Sequence, residues 1–192
     1  DKRAEVREAL GMLRTLQDVE QRRALLDRDA EDSKGNSVSD GDLPTTTAEK
    51  FAQQVEAILK AWHFPEAERV FFDAKARDLV IAGKSRTARG KGLRAITHAA
   101  FSIGLLEFCR AQATPHPGFV VLDSPLLAYR TPEGTDDDLR GTDLDTHFYG
   151  YLAAQGSDRQ TIIVENDDPP EDIRKRRQVT MFTGNPHNGR YG

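Results

Sequence analysis

The spacing of apolar positions divides the chain into a thin helical stripe, a polar gap and a region where helical and strand periods alternate. Over residues 1–32, Val6, Leu10, Leu13, Leu16 or Gln17, Val19 or Glu20, Leu25 and Leu26 recur on one narrow face, with Arg, Glu and Asp filling the others. A stripe that narrow predicts a coiled-coil arm that packs on one partner; a plain surface helix would carry a similar pattern. Residues 33–45 are nearly all turn formers or breakers, which predicts a flexible linker. The next helix is expected to be capped by Thr46 or Thr47, with Glu49 and Lys50 in its first turn. It carries Phe51, Val55, Ile58 and Leu59 on one face and stops near Trp62, before Phe64-Pro65.

Strand signals then begin. Residues 69–73 and 78–82 are short apolar runs joined by a turn, which predicts a hairpin. A basic, Gly-containing loop spans 83–92, and the strongest helical pattern runs from Leu93 to about Ala111. Phe119-Val120-Val121-Leu122 is a continuous apolar run ending in Asp123, the pattern of a strand buried on both faces. An acidic loop with Asp136, Asp137 and Asp138 precedes a helix over 144–154, and a second apolar strand covers 160–164. Residues 167–177 read as a short helix or turn, 178–182 as a last strand, and 184–192 as a loose tail. Helix, strand, helix and strand in succession predict an α/β fold, a mostly parallel sheet flanked by helices. The expected organisation is an arm at 1–32, a linker at 33–45, a lobe at 46–183 and the tail.

Composition narrows the function classes. The chain has 192 residues, 38% apolar and 30% charged, enough for one domain with a real core and a solvated segment. A net charge of −4 excludes a uniformly basic nucleic-acid coat and leaves local patches open. Cys109 is the single cysteine, so there is no intrachain disulfide and no Cys/His cluster of zinc spacing. No apolar run approaches about 18 residues and no signal peptide is visible, so a cytoplasmic protein with no membrane partner is expected. The chain opens Asp1-Lys2-Arg3 without methionine, which suggests a piece of a longer protein.

Four constellations carry candidate chemistry. The first is Asp123, with Ser124 and Pro125 behind it: a carboxylate at the C-terminal end of a parallel strand faces the ligand crevice of an α/β sheet. The alternative is an Asp that caps a turn. The second is Gly83 to Arg94, with five cations between Lys84 and Arg94, three glycines and no acid. Backbone amides, cations and a helix start make an anion site, most naturally for phosphate, against a plain solvated turn. Gly83-Lys84-Ser85 is not a Walker A loop, because the required earlier glycine is Asp78; for Lys91 it is Ser85, and Gly92 stands where Ser or Thr is needed. The third is Glu165-Asn166, ending the second parallel strand where they could touch a phosphate or a water, or simply turn the chain. The fourth, Arg174-Lys175-Arg176-Arg177, could contact nucleic acid, or be a solvated helix end.

The order of these features resembles the C-terminal lobe of an ABC-type ATPase head of the SMC-like class, the coiled-coil ATPases of DNA repair, chromosome organisation and antiphage defence. Arg89 to Ala95, Leu122 to Leu126 and Ile163 to Asn166 carry the likeness, which covers about residues 66–183. It implies that ATP and Mg2+ are cofactors, and that residues 1–32 are the returning strand of a coiled coil. Partners would be an N-terminal Walker A lobe, a second head, DNA and accessory subunits. It implies further that Ser85, Thr87, Arg89, Gly90, Lys91 and Gly92 form the signature loop, which meets ATP held by a partner head, with Gly90 as the close-approach glycine. Asp123 would be the Walker B aspartate, holding Mg2+ through water, and Asn166 would stand at the switch-histidine position. The chain departs from the pattern at Ser124, where the family has the Glu that orients the attacking water; Glu165 is then the candidate substitute, or hydrolysis is slow. Two other classes compete: a non-catalytic interaction module that binds nucleic acid or protein through the basic loop, and a stand-alone hydrolase using Asp123, Glu165 and His98 or His147.

Overall fold

The computed structural model of the chain describes residues 13, 16, 17, 19–21, 23, 24, 43–130, 139–183, 187, 190 and 191. The helix over Thr45–Ala61, here α1, opens without a threonine cap. Pro44 takes the cap position, with φ −54° already suited to a helix, and its carbonyl accepts the amides of Thr47 and Ala48. The chain leaves α1 through His63, in the left-handed region at φ 56°, just before the predicted stop at Phe64-Pro65. Phe51, Val55, Ile58 and Leu59 are buried, as the spacing predicts, and so is Ala52.

β1 (Val70–Asp73) and β2 (Asp78–Ile81) form the expected antiparallel hairpin, Val70 opposite Ile81 and Asp73 opposite Asp78. The basic segment is more ordered than a loop. Ala82 and Gly83, both at positive φ, turn the chain into a third antiparallel strand, β3 (Lys84–Ser85), followed by a single 3-10 turn at Arg86–Ala88.

Helix α2 (Lys91–Ala111) is the centre of the molecule. Leu93, Ile96, Ala99, Ala100, Ile103 and Leu106 are buried in the core that it shares with α1, the hairpin and the inner face of β4. Phe51 meets Phe72, Phe101 and Phe108 edge-on. Glu107, on the same helix, accepts hydrogen bonds from Gln54, Tyr151 and Gln155, with Arg159 beside it. Two glycines of α2 are close-approach positions. A Cβ at Gly104 would lie 2.7 Å from Val55 Cγ2, and one at Gly92 would lie 2.5 Å from Ala128 Cα.

β4 (Phe119–Asp123) pairs in parallel with β5 (Gln160–Val164), Phe119 opposite Gln160 and Asp123 opposite Val164. Between them come the short α3 (Leu127–Arg130) and α4 (Leu144–Ala153). The expected crossover is therefore present; the acidic positions Asp136 to Asp138 lie outside the described residues. The expectation of strands buried on both faces is corrected. Val120 and Leu122 point into the core, whereas Phe119 is 49% exposed, Val121 54%, Ile162 40% and Val164 53%. α2 packs against one side, and the other side carries these exposed apolar residues.

The molecule is thus mixed α/β, with one three-stranded antiparallel sheet and two two-stranded parallel pairs rather than one mostly parallel sheet. α5 (Glu171–Arg176) follows β5. The strand expected over 178–182 is corrected to β6 (Phe182–Thr183), because Gln178 to Met181 pair with no strand; β7 (Arg190–Tyr191) pairs with it from within the expected loose tail. No coiled-coil packing is evident for the arm among the described residues: those between 13 and 24 are helical, with Leu13, Leu16 and Val19 exposed. The rest of 1–32, and most of the 33–45 linker, lie outside the described residues. No described helix is long and apolar enough to cross a membrane.

The two kinds of glycine give opposed expectations. Gly92→Ala forces a methyl group onto Ala128 and is expected to cost about 1–3 kcal/mol. Gly150, exposed within α4 with nothing within 4 Å of an added Cβ, should gain up to about 1 kcal/mol on conversion to Ala. Urea unfolding of the two variants beside the parent chain measures both.

Candidate functional site

α2 starts at the edge of the parallel pair where β4 ends, because the helix and the strand after it run in opposite directions. The helix N-terminus and Asp123 therefore come together. They line a cleft of about 580 Å3 with Arg86, Lys91, Arg94, His98 and Ser124 on its walls. Three cations and one carboxylate around an open cleft at a helix start are suited to an anion that carries a metal ion.

The loop after β4 is fixed by backbone. Ser124 adopts φ 48°, its amide donates to the Val164 carbonyl (2.9 Å), and its hydroxyl donates to Asp123 Oδ1 (3.1 Å). Glu165 braces the same loop: Oε1 accepts the Leu126 amide at 2.8 Å and Oε2 the Asn166 amide at 3.3 Å. Its carboxylate is thus occupied in holding the loop, and the water-positioning role expected of it has no support in this geometry. Asn166 is exposed beyond it.

The basic segment splits into two groups. Arg86 forms a fork with the buried Asp78, Nε to Oδ1 at 2.8 Å and Nη2 to Oδ2 at 3.1 Å, and lies over the Phe101 ring. His98 is held below its usual range, first by partial burial and then by the positive charge of Arg86, which favours a neutral imidazole in the cleft. Lys91 and Arg94 are exposed at the cleft. Ser85 and Thr87 lie outside its lining, their hydroxyls 2.8 Å apart. Gly90 is the cap residue of α2, and Gly92 is a close-approach glycine toward Ala128.

Arg89 requires a correction. Expected to touch nucleotide, its side chain is only 2% exposed; Nη1 donates to Glu66 Oε2 at 2.5 Å and Nη2 to the Ile81 carbonyl at 2.6 Å. It ties α2's entry to the hairpin and stacks on Phe64. The Arg174–Arg177 run is also engaged within the chain: Arg174 with Asp168, Lys175 with Glu171, and Arg177 with the Ala153 carbonyl. The side chain of Arg176 lies outside the described set.

His98, named above only for the stand-alone hydrolase, lines the cleft with Asp123. Its signal was the helical period: Lys91, Arg94 and His98 stand at i, i+3 and i+7 on one face of α2. No protein-family model and no curated protein matches the chain.

The Arg89 pairing gives a pH expectation. The hydrogen bond from Arg89, opposed by partial burial and aided by the charges of Arg89 and Lys84, holds Glu66 below the usual carboxylate value. The unfolded chain then binds the proton more readily than the folded one. The contribution is complete above the ordinary carboxylate range and is lost as pH falls through the lowered value. Glu66→Gln should therefore be less stable than the parent at neutral pH, and the gap should narrow as pH falls below the ordinary carboxylate range, as read from urea midpoints across pH.

Proposed function

We propose that the chain is the C-terminal lobe of an SMC-like ATPase head, supplying the Walker B and signature parts of an ATP site that a Walker A lobe and a second head complete. The observation that carries this reading is the cleft where Asp123 ends a parallel strand beside Lys91, Arg94 and His98. Phosphoryl transfer asks little covalent chemistry of a protein and depends on charge placed around phosphate oxygens. The first amides of α2 and Arg94 offer that charge, and Lys91, expected in the signature loop facing a partner head, lines this cleft instead. Asp123 and Ser124 offer hard oxygen donors, which suit Mg2+ held mainly through water; the ion would neutralise phosphate charge there. Ser85 and Thr87, outside the cleft, are the groups left to face a nucleotide held by a partner head.

Ser124 cannot orient an attacking water as a carboxylate does, and Glu165 is engaged with Leu126. Loss of that role in phosphoryl transfer slows turnover by orders of magnitude, so ATP serves here mainly to clamp two heads together. The exposed residues Phe119, Val121, Ile162 and Val164 support a missing partner lobe, since parallel sheets are normally covered on both faces. DNA and accessory subunits as partners, and a role in repair, chromosome organisation or antiphage defence, rest on the resemblance. The competing module that binds nucleic acid through the basic loop loses Arg86 and Arg89 to internal pairing and keeps the exposed Lys91 and Arg94.

In the full-length protein, Asp123→Ala is expected to abolish Mg-ATP-dependent head dimerisation, measured by size-exclusion chromatography with light scattering. Lys91→Glu with Arg94→Glu should weaken ATP binding at least about tenfold, the loss of roughly 1.4 kcal/mol. Dimerisation and turnover unchanged in the Asp123 variant would overturn the reading. Salt-sensitive DNA binding indifferent to ATP would replace it with the interaction module.

A further inference from the structure

A second group of ionisable side chains, sharing no residue with the cleft, sits where the end of α1 meets the start of α4. His63 Nδ1 lies 3.2 and 3.1 Å from the two carboxylate oxygens of Asp143, and His147 Nε2 lies 3.2 Å from Asp143 Oδ2. One ligand atom from each of the three falls within 4.8 Å of the others. The imidazole rings stack with centroids 3.6 Å apart, inclined at 29°. We propose that His63, Asp143 and His147 form a binding site for a divalent first-row transition metal, with Zn2+ the best match.

The donor set decides the class of ion. Two imidazoles and one carboxylate suit Zn2+ and its neighbours, whereas Mg2+ and Ca2+ require oxygen. The spacing fits as well. Around an ion bound at about 2.0–2.1 Å, tetrahedral ligand atoms stand about 3.3 Å apart, close to the two His–Asp143 separations here; the stacked imidazoles turn apart to aim both nitrogens at one ion. Three protein ligands leave a further position for water. His63 and Asp143 are exposed and His147 half-exposed, so an ion has a path in.

The core presets this arrangement. Trp62, the neighbour of His63, and Phe148, the neighbour of His147, are fully buried and meet edge-on at 4.9 Å. That contact fixes the two backbones whose next residues carry the ligands. Asp143 stands at the cap position of α4 yet makes no side-chain cap bond; its carboxylate turns to the imidazoles instead. Asp143 and His147 are four residues apart on one helix face, the spacing that brings two ligands to one ion. Binding would cross-link chain positions 80 residues apart.

The full chain, stripped with a chelator and dialysed, is titrated with Zn2+ by calorimetry and with Co2+ by visible absorption. One ion per chain is expected, with the intense d–d bands of a low-coordinate Co2+ site and a raised Tm. His63→Ala and His147→Ala should each weaken binding at least about tenfold, while His98→Ala leaves it unchanged. Far-ultraviolet circular dichroism checks folding; if His63→Ala does not fold, His147→Gln, on the surface of α4, decides. Absence of saturable binding, or binding that survives the loss of either imidazole, overturns the site. Loss in His98→Ala with retention in His63→Ala also overturns it, and assigns the ion to the Asp123 cleft.

Discussion

The closeness with which α2 approaches its neighbours governs the rest of the structure. Gly104 lets α1 settle against α2 at Val55, and Gly92 lets the turn after β4 settle against the first residues of the helix at Ala128. A Cβ at either position would sit well inside van der Waals distance of its neighbour, and close-packed interiors do not absorb such a change without rearrangement. The second contact matters more for chemistry. It seats the loop carrying Asp123 and Ser124 on the helix start that carries Lys91 and Arg94, so the charge composition of the cleft follows from a steric fact about a glycine.

Polar side chains complete what the glycines begin. Arg89 and Arg86 are both drawn from the basic segment, yet each is matched to an acid of the hairpin region, Glu66 and Asp78. Buried cations without partners would be untenable, and these pairings hold the segment between β3 and α2 in one conformation. Of its five cations, Arg89 is sealed inside, Lys84 lies 3.8 Å from Glu66, and the cleft receives Arg86, Lys91 and Arg94. Glu107 has a comparable role at the other end of α2, gathering Gln54, Tyr151 and Gln155 around one carboxylate; burial and that hydrogen bond keep the Tyr151 hydroxyl protonated.

Local patterns were legible where the signal is local. The apolar period of α1, the run of α2, the hairpin at 70–81 and the parallel order of β4 and β5 follow from spacing and turn residues. What escaped the sequence depends on partners distant along the chain. Arg89 reads as a phosphate contact beside Gly90, and only the fold reveals Glu66 and the Ile81 carbonyl waiting for it. Glu165 reads as a free strand-end carboxylate until the Leu126 amide is found within 2.8 Å. The run Phe119 to Leu122 reads as covered on both sides because composition reports the apolar character of a face and not whether anything lies on it. His63 and Asp143, 80 residues apart, have no linear signature at all.

The bare side of the β4–β5 ribbon has a consequence for the life of the polypeptide. Phe119, Val121, Ile162 and Val164 line a surface backed by only two strands, each with an unpaired edge in the described sheet. Apolar ribbons with open edges recruit whatever strand arrives first, including one from another copy. A strand or chain that covered this surface would remove the apolar face and the open edges together.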